Sequence, residues 1–288
     1  MAAASLPPRG TSNWRALGAE AYPPDGAFLR VQRETAIALA APAVALLQIA
    51  HPLIAAAFEA HTDGTRDPMT RLRATRATNL TVIFGSHADA TAAVARVIDI
   101  HQRTRGKTAH AVGRFPAGTL YSASDPELLL WGYATILFVS LRAYVDLVGP
   151  LDRQAREAFV VEARPFGLAF GIPGERLPGS VAELEALFEG VLIGGDLAVG
   201  SEARALATEV LRPAVPLAYR PALPLVRMLT AGLLPASVRA AFGIPWSQRD
   251  LTVYRFLTAG IRAAVRVTPG RLRYATEYDR RPRAGSPT

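Results

Sequence analysis

SHADATAAVARVIDIHQRTRG, residues 86–106, is the stretch whose reading decides the fold. It holds no Pro, and no Gly before Gly106, so nothing interrupts a helix from Ala88 to Arg105. Val94, Val97, Ile98 and His101 recur at i, i+3, i+4 and i+7 and so share one face. Ser86 is placed to cap this helix and Gly106 to stop it. His101 points where the apolar residues point, toward an interior. Arg105 follows one turn later on the same side.

An inward imidazole has two readings. A lone His on an apolar face is more commonly a hydrogen-bonded core residue than a ligand. With a cation one turn beyond, the pair also has the chemistry of a haem site, nitrogen to iron and guanidinium to a propionate. Periodicity leaves both open.

Upstream, residues 48–106 hold four of the five histidines: His51, His61, His87 and His101. Thr35 to Phe58 gives 24 residues without a formal charge. That length could span a membrane. Pro42, Gln48, His51 and Pro52 argue instead for two buried helices broken near His51-Pro52, because the residue before a proline avoids helical geometry. His51 then faces a pocket or anchors the break. His61 to Pro68 is a polar loop, and Asp67 with Pro68 suits the start of a helix over Met69 to Phe84. On that helix Arg71, Thr75, Thr78 and Val82 share a face. Gly85 ends it. His87, at the start of the next helix, reads as a surface residue.

Downstream, residues 106–121 read as a loop with a short hairpin, His110 facing solvent. Ser124 and Glu127 form a capping-box pattern before a helix from Pro126 to Val148. Its uncharged core, Leu128 to Leu141, marks the central buried helix. Trp131, Tyr133 and Phe138 there read as core side chains or as the lining of a site. Helices follow over Asp152–Phe170, from Ser180 to about Leu192, and over Ser201–Leu211, Pro221–Leu234, Ala236–Phe242 and Ser247–Ala264. Strand-like alternation is nearly absent. The expected fold is all-α, a single multi-helix domain over residues 29–279. A flexible arm is expected over 1–28, and a disordered basic tail over 280–288.

Composition narrows the function. Half of the residues are hydrophobic and 19% are charged, so the chain is globular or membrane-associated. The net charge is +8, yet Lys107 is the only lysine among 32 basic residues. That reads as a coding bias toward arginine, and no nucleic-acid motif accompanies it. The absence of cysteine excludes disulfides, thiolate-ligated or covalently attached haem, iron–sulfur clusters and cysteine nucleophiles. No Gly-rich phosphate loop, nucleophile elbow or HExxH is present. No signal peptide is seen, so the expected place is the cytoplasm, with peripheral membrane contact open.

Seven segments run in order: QIAHP at 48–52, His61 to Asp63, DPMTRLRAT at 67–75, IFG at 83–85, HQRTRG at 101–106, YSASDPELLLWGYAT at 121–135 and LLPASVRAAFGIPWS at 233–247. In order and spacing the chain resembles the oxygenase family that takes in the MpaB-type oxygenases and, more remotely, the catalytic domain of rubber oxygenase. The likeness spans roughly residues 30–250. It implies a distantly globin-like helical fold around a buried pocket for noncovalent haem b, and O2-dependent chemistry. It also implies His101 as the proximal ligand, Arg71 and Thr75 beside the haem, and Arg105 near a propionate. Two departures stand out. Ala74 lies where the rubber oxygenases carry a lysine, which argues against rubber as substrate and leaves the sixth ligand open. Tyr133 lies where many relatives carry a histidine.

The expected activity is a haem b oxygenase acting with O2 on an apolar, unsaturated or isoprenoid substrate. Arg71 and Thr75 face the oxygen, and His51, Glu59 and His61 are candidates for a base. Two rivals remain: a haem- or lipid-binding protein without turnover, and a membrane protein anchored by residues 35–58.

Overall fold

The structure, a computed structural model, describes residues 17–60 and 68–280, save the side chains of Pro68, Met69, Arg71, Asp279 and Arg280. After a 3-10 turn at Gly18–Ala21 comes α1 (Ala27–Gln32), then a 3-10 segment (Thr35–Ala40) leading into α2 (Ala41–Ile49) and α3 (Pro52–Ala60). Next come α4 (Pro68–Phe84), α5 (His87–Arg103), β1 (Arg105–Lys107), β2 (Leu120–Ser122) and α6 (Pro126–Leu147). The chain continues through α7 (Arg153–Glu162), α8 (Arg164–Ala169), α9 (Val181–Ile193), α10 (Ser201–Leu211) and α11 (Leu223–Leu233). It ends with α12 (Ala236–Ala241), α13 (Gln248–Val267), α14 (Gly270–Arg273) and α15 (Thr276–Arg280). The fold is all-α, with one antiparallel β1–β2 ribbon pairing Gly106 with Tyr121.

The apolar run of α6 makes it the axis of the core. It packs against α1, α2, α9, α11 and α13. Trp131 is buried, and its indole N–H donates to the Leu47 carbonyl at 3.2 Å. Its ring lies 5.1 Å from Phe188, which stacks at 3.9 Å on Phe138. These aromatics are core, as their spacing alone could not decide. α6 is long and apolar enough to cross a bilayer, but 61% of its most apolar window is buried against other helices. The uncharged stretch before it bends by 105° between Ile49 and Pro52. The break falls where His51-Pro52 predicts it, and α2 and α3 are each about 14 Å long against a hydrocarbon core of about 30 Å.

α4 and α5 have equal length and only Gly85-Ser86 between them, so they form an antiparallel helical hairpin. Ser86 caps α5, its hydroxyl accepting from the Asp89 N–H at 3.2 Å. The Gly18–Ala21 turn packs on both helices, Ala19 N–H donating to the Gly85 carbonyl. Gly18 has φ +78°, and a β-carbon there would stand 2.3 Å from the Gly85 oxygen, so only glycine fits. Leu17, Tyr22 and Phe28 are buried. The expected arm over 1–28 is therefore not an arm from residue 17 onward, because its apolar side chains find the hairpin and α7; residues 1–16 lie outside the described residues.

The C-terminus returns to the start of the chain. Glu34 is fully buried, and both its oxygens accept from Arg273, at 2.7 to 3.1 Å. Beside it Ala275 N–H donates to the Arg33 carbonyl at 2.7 Å. The Arg33 guanidinium lies over the Tyr274 ring at 4.4 Å.

Two local expectations are corrected. α5 ends at Arg103, not Arg105, because Thr104 leaves helical geometry at ψ 90° and Arg105 opens β1. The cap of α6 is Asp125, whose carboxylate accepts from the Glu127 N–H at 2.8 Å, not Ser124. Asp125 directly precedes Pro126, so its shorter reach wins the position.

Candidate functional site

A cavity of about 180 Å³ opens among α2, α4, α6, α10 and the 3-10 segment before α2. Its wall is mostly aliphatic, with Ile37, Val44, Ile49, Leu80, Ile136 and Val210 among its residues. Among its polar groups, α4 brings Thr75, Arg76 and Asn79. Leu72, Thr75, Arg76, Asn79, Leu80 and Ile83 lie on the wall at i, i+3, i+4, i+7, i+8 and i+11, one helical face. Of the expected inward face of Arg71, Thr75, Thr78 and Val82, Thr75 lies on the wall and Thr78 and Val82 do not, while the Arg71 side chain lies outside the described residues. Leu72, Leu80 and Ile83 carried the signal that could have found it, since apolar residues mark the inward stripe. Arg76 and Asn79 were missed because a polar stripe resembles a wet one.

The other polar groups on the wall are accounted for. Gln32 donates to Ser140 at 3.3 Å, and Gln48 donates to Thr135 at 3.2 Å. Glu209 on α10 borders the cavity and is exposed. Arg76 is half-buried, and burial lowers its pKa while the Glu277 carboxylate opposes that shift.

His101 stands on the last turn of α5, half-buried, and its ring makes no hydrogen bond among the described residues. Burial lowers its pKa, which keeps the imidazole neutral near pH 7. A helix C-terminus favours a cation, so here desolvation prevails over the helix dipole. His101 is not on the cavity wall. It stands at the end of α5 away from the Gly85-Ser86 link to α4. Arg105 is exposed on β1 and no longer one turn beyond His101 on a common helix. Its expected role lost its geometric basis when the helix ended early. Arg71 lies on α4, but its side chain is outside the described residues, as is the whole of His61.

His51 serves the break between α2 and α3. Its Nδ1 accepts from the Leu53 N–H at 3.3 Å, capping α3, and its ring packs on Phe115 with centroids 5.3 Å apart. It does not line the cavity. Glu59, at the end of α3, is exposed. His87 has an exposed ring, but its Nδ1 accepts from the Leu17 N–H at 3.2 Å, so it also holds the chain to the hairpin. His110 is exposed, as its loop position predicts. Tyr133 is buried with an unpaired hydroxyl and does not reach the cavity.

Desolvation, above all, pushes the His51 pKa down to about 4; Asp196 and Asp125 oppose this and Arg114 adds to it. The unfolded chain takes up that proton near 6.5, so the folded state binds fewer protons between the two values. The stability that neutral His51 confers is full above pH 6.5 and is lost as pH falls toward 4, by on the order of 3 kcal/mol. Melting curves from pH 7.5 to 4.5 should show this slope in the wild type. In His51→Asn, which retains a capping oxygen, the slope should shrink. Equal slopes would mean that His51 is protonated in the fold.

A b-type haem needs a neutral nitrogen donor, apolar surroundings and cations for two carboxylates. His101 supplies a neutral, partly buried nitrogen without a competing hydrogen bond, the cavity is aliphatic, and Arg105, just past the end of α5, is an exposed cation. In donor chemistry these residues fit the group. Among the described residues no cluster of three His, Cys, Asp or Glu could hold a bare metal ion.

Residues 29–263 match the family described as ER-bound oxygenase mpaB/B'/Rubber oxygenase, catalytic domain. The match takes in every helix from α2 to α12 and most of α13, so the chain belongs to this family, that of an oxygenase catalytic domain. Two curated relatives are the uncharacterized proteins Mb2261 of Mycobacterium bovis and Rv2237 of Mycobacterium tuberculosis. Each is 25% identical over 213 residues, which cover 72% of this chain and 78% of the relative. No solved structure matches the chain significantly.

Proposed function

We propose that the protein is a haem b-dependent oxygenase acting with O2 on an apolar, unsaturated substrate of isoprenoid type. The observation that carries the reading is His101. It is a neutral, half-buried imidazole with no hydrogen-bond partner among the described residues, on a helix inside the family match. His101 would bind the iron, and bound haem would supply the activation of O2. The aliphatic cavity would take the substrate's chain and exclude water from it. Thr75, on the cavity wall, would hold a hydrogen bond to oxygen or water. Arg71, one turn earlier on α4, is the second residue proposed for this role.

Purified protein should be red-brown, with a Soret band and haem that extracts into acidified organic solvent, since no cysteine can tether it. Colourless protein that also fails to take up added haemin would refute the proposal. A protein that binds haem but consumes no O2 with any unsaturated substrate and reductant would be a carrier instead.

A further inference from the structure

The cavity is largely aliphatic, and α4 brings the donors Thr75, Arg76 and Asn79 to its wall. Arg76 and Asn79 lie one turn apart on the wall, and neither side chain has a hydrogen bond or ion pair among the described residues. The other amides on the wall, Gln32 and Gln48, are already bonded to Ser140 and Thr135. A half-buried guanidinium without a protein partner is free to meet an anion that enters the cavity. One carboxylate acts on it, and a second stands elsewhere on the cavity border. Glu277 opposes the effect of burial without making an ion pair, and Glu209 borders the cavity from its exposed side. Neither forms an ion pair with Arg76 among the described residues.

We infer that the cavity binds an amphipathic acid, with its apolar chain against α2, α6 and α10 and its carboxylate on Arg76 and Asn79. The guanidinium offers paired N–H donors that match a carboxylate, and the amide of Asn79 adds a third. This rests on the reading of the cavity as the substrate's site and narrows the substrate from an apolar chain to a chain with an acidic head. A neutral alcohol or hydrocarbon would leave the guanidinium unpaired, so the head group, not the chain, sets the preference.

Titration calorimetry on the purified holoprotein, with geranic acid and geraniol as probes, isolates that group, because the two share one isoprenoid chain. The acid should bind at least about tenfold tighter than the alcohol. In Arg76→Gln the acid should fall to the level of the alcohol, with alcohol binding and haem content unchanged. Arg76→Lys should keep part of the preference, and Glu209→Gln should leave it equal or larger. Equal binding of acid and alcohol to the wild type would overturn the inference. So would a preference that survives in Arg76→Gln, or an Arg76→Gln protein that sheds haem while its preference stays, since the guanidinium would then serve the cofactor. If Arg76→Gln does not fold, Asn79→Ala takes its place, with a reduced preference expected and an unchanged one overturning the inference. A colourless protein that still prefers the acid would refute the haem proposal and leave this one standing.

Discussion

His101→Ala is expected to lose most of its haem during purification while keeping its helical content. The axial bond would be the one strong directional contact to the group, in surroundings otherwise held by apolar packing. Added imidazole should restore part of the colour by filling the vacated space. If His101 were only a core residue, the same change would cost on the order of 2–4 kcal/mol through a cavity and lost contacts, and would leave haem bound. The haem-to-protein ratio and a melting curve, read together, separate the two. His110→Ala, on an exposed loop, should change neither. Full occupancy with a native Soret in His101→Ala would remove the ligand assignment.

Arg273→Ala should be the most destabilising single change on the protein's outer shell. Glu34 is fully buried and takes three hydrogen bonds from this one guanidinium. Removing the partner leaves a buried carboxylate without compensation, at about 3–5 kcal/mol. For a domain of this size that lowers the melting temperature by roughly 10 °C. Pairing Glu34→Gln with Arg273→Met removes both charges and should recover much of the loss, because the cost lies in the orphaned charge more than in the missing tether. A single variant that melts within a degree or two of wild type would show that Glu34 finds water or another partner. The latch matters for the site. It fixes the 3-10 segment over Thr35–Ala40, whose Ile37 forms part of the cavity wall.

Much of this architecture is a property of local sequence. The α4–α5 hairpin follows from Gly85-Ser86 between two helical patterns, and the break before α3 follows from His51-Pro52. The apolar run of α6 places it at the centre. Each of these is decided within a few residues, by backbone geometry, a cap or a periodic stripe, and the segments that mark the family are spread over the same helices. The small misreadings were equally local. Thr104 ends α5 two residues before the glycine, and with that ending Arg105 left the face of His101.

What depends on distance along the chain could not be read this way. Glu34 and Arg273 are 239 positions apart, and nothing near either residue names the other. Leu17, Tyr22 and Phe28 sit in a stretch whose Pro and Gly content suggests a mobile arm, yet they are buried once the hairpin and α7 are present to receive them. His51 was open to a pocket role or an anchoring role. In the fold it accepts the Leu53 N–H and packs on the Phe115 ring. Arg76 and Asn79 are the sharpest case. On the isolated helix they are polar residues among Leu72, Leu80 and Ile83, and a polar side chain there does not say whether it meets water or a wall. Only the packing of α2, α6 and α10 around α4 turns that face into the wall of a cavity, because burial is a property of what surrounds a side chain and not of the side chain itself.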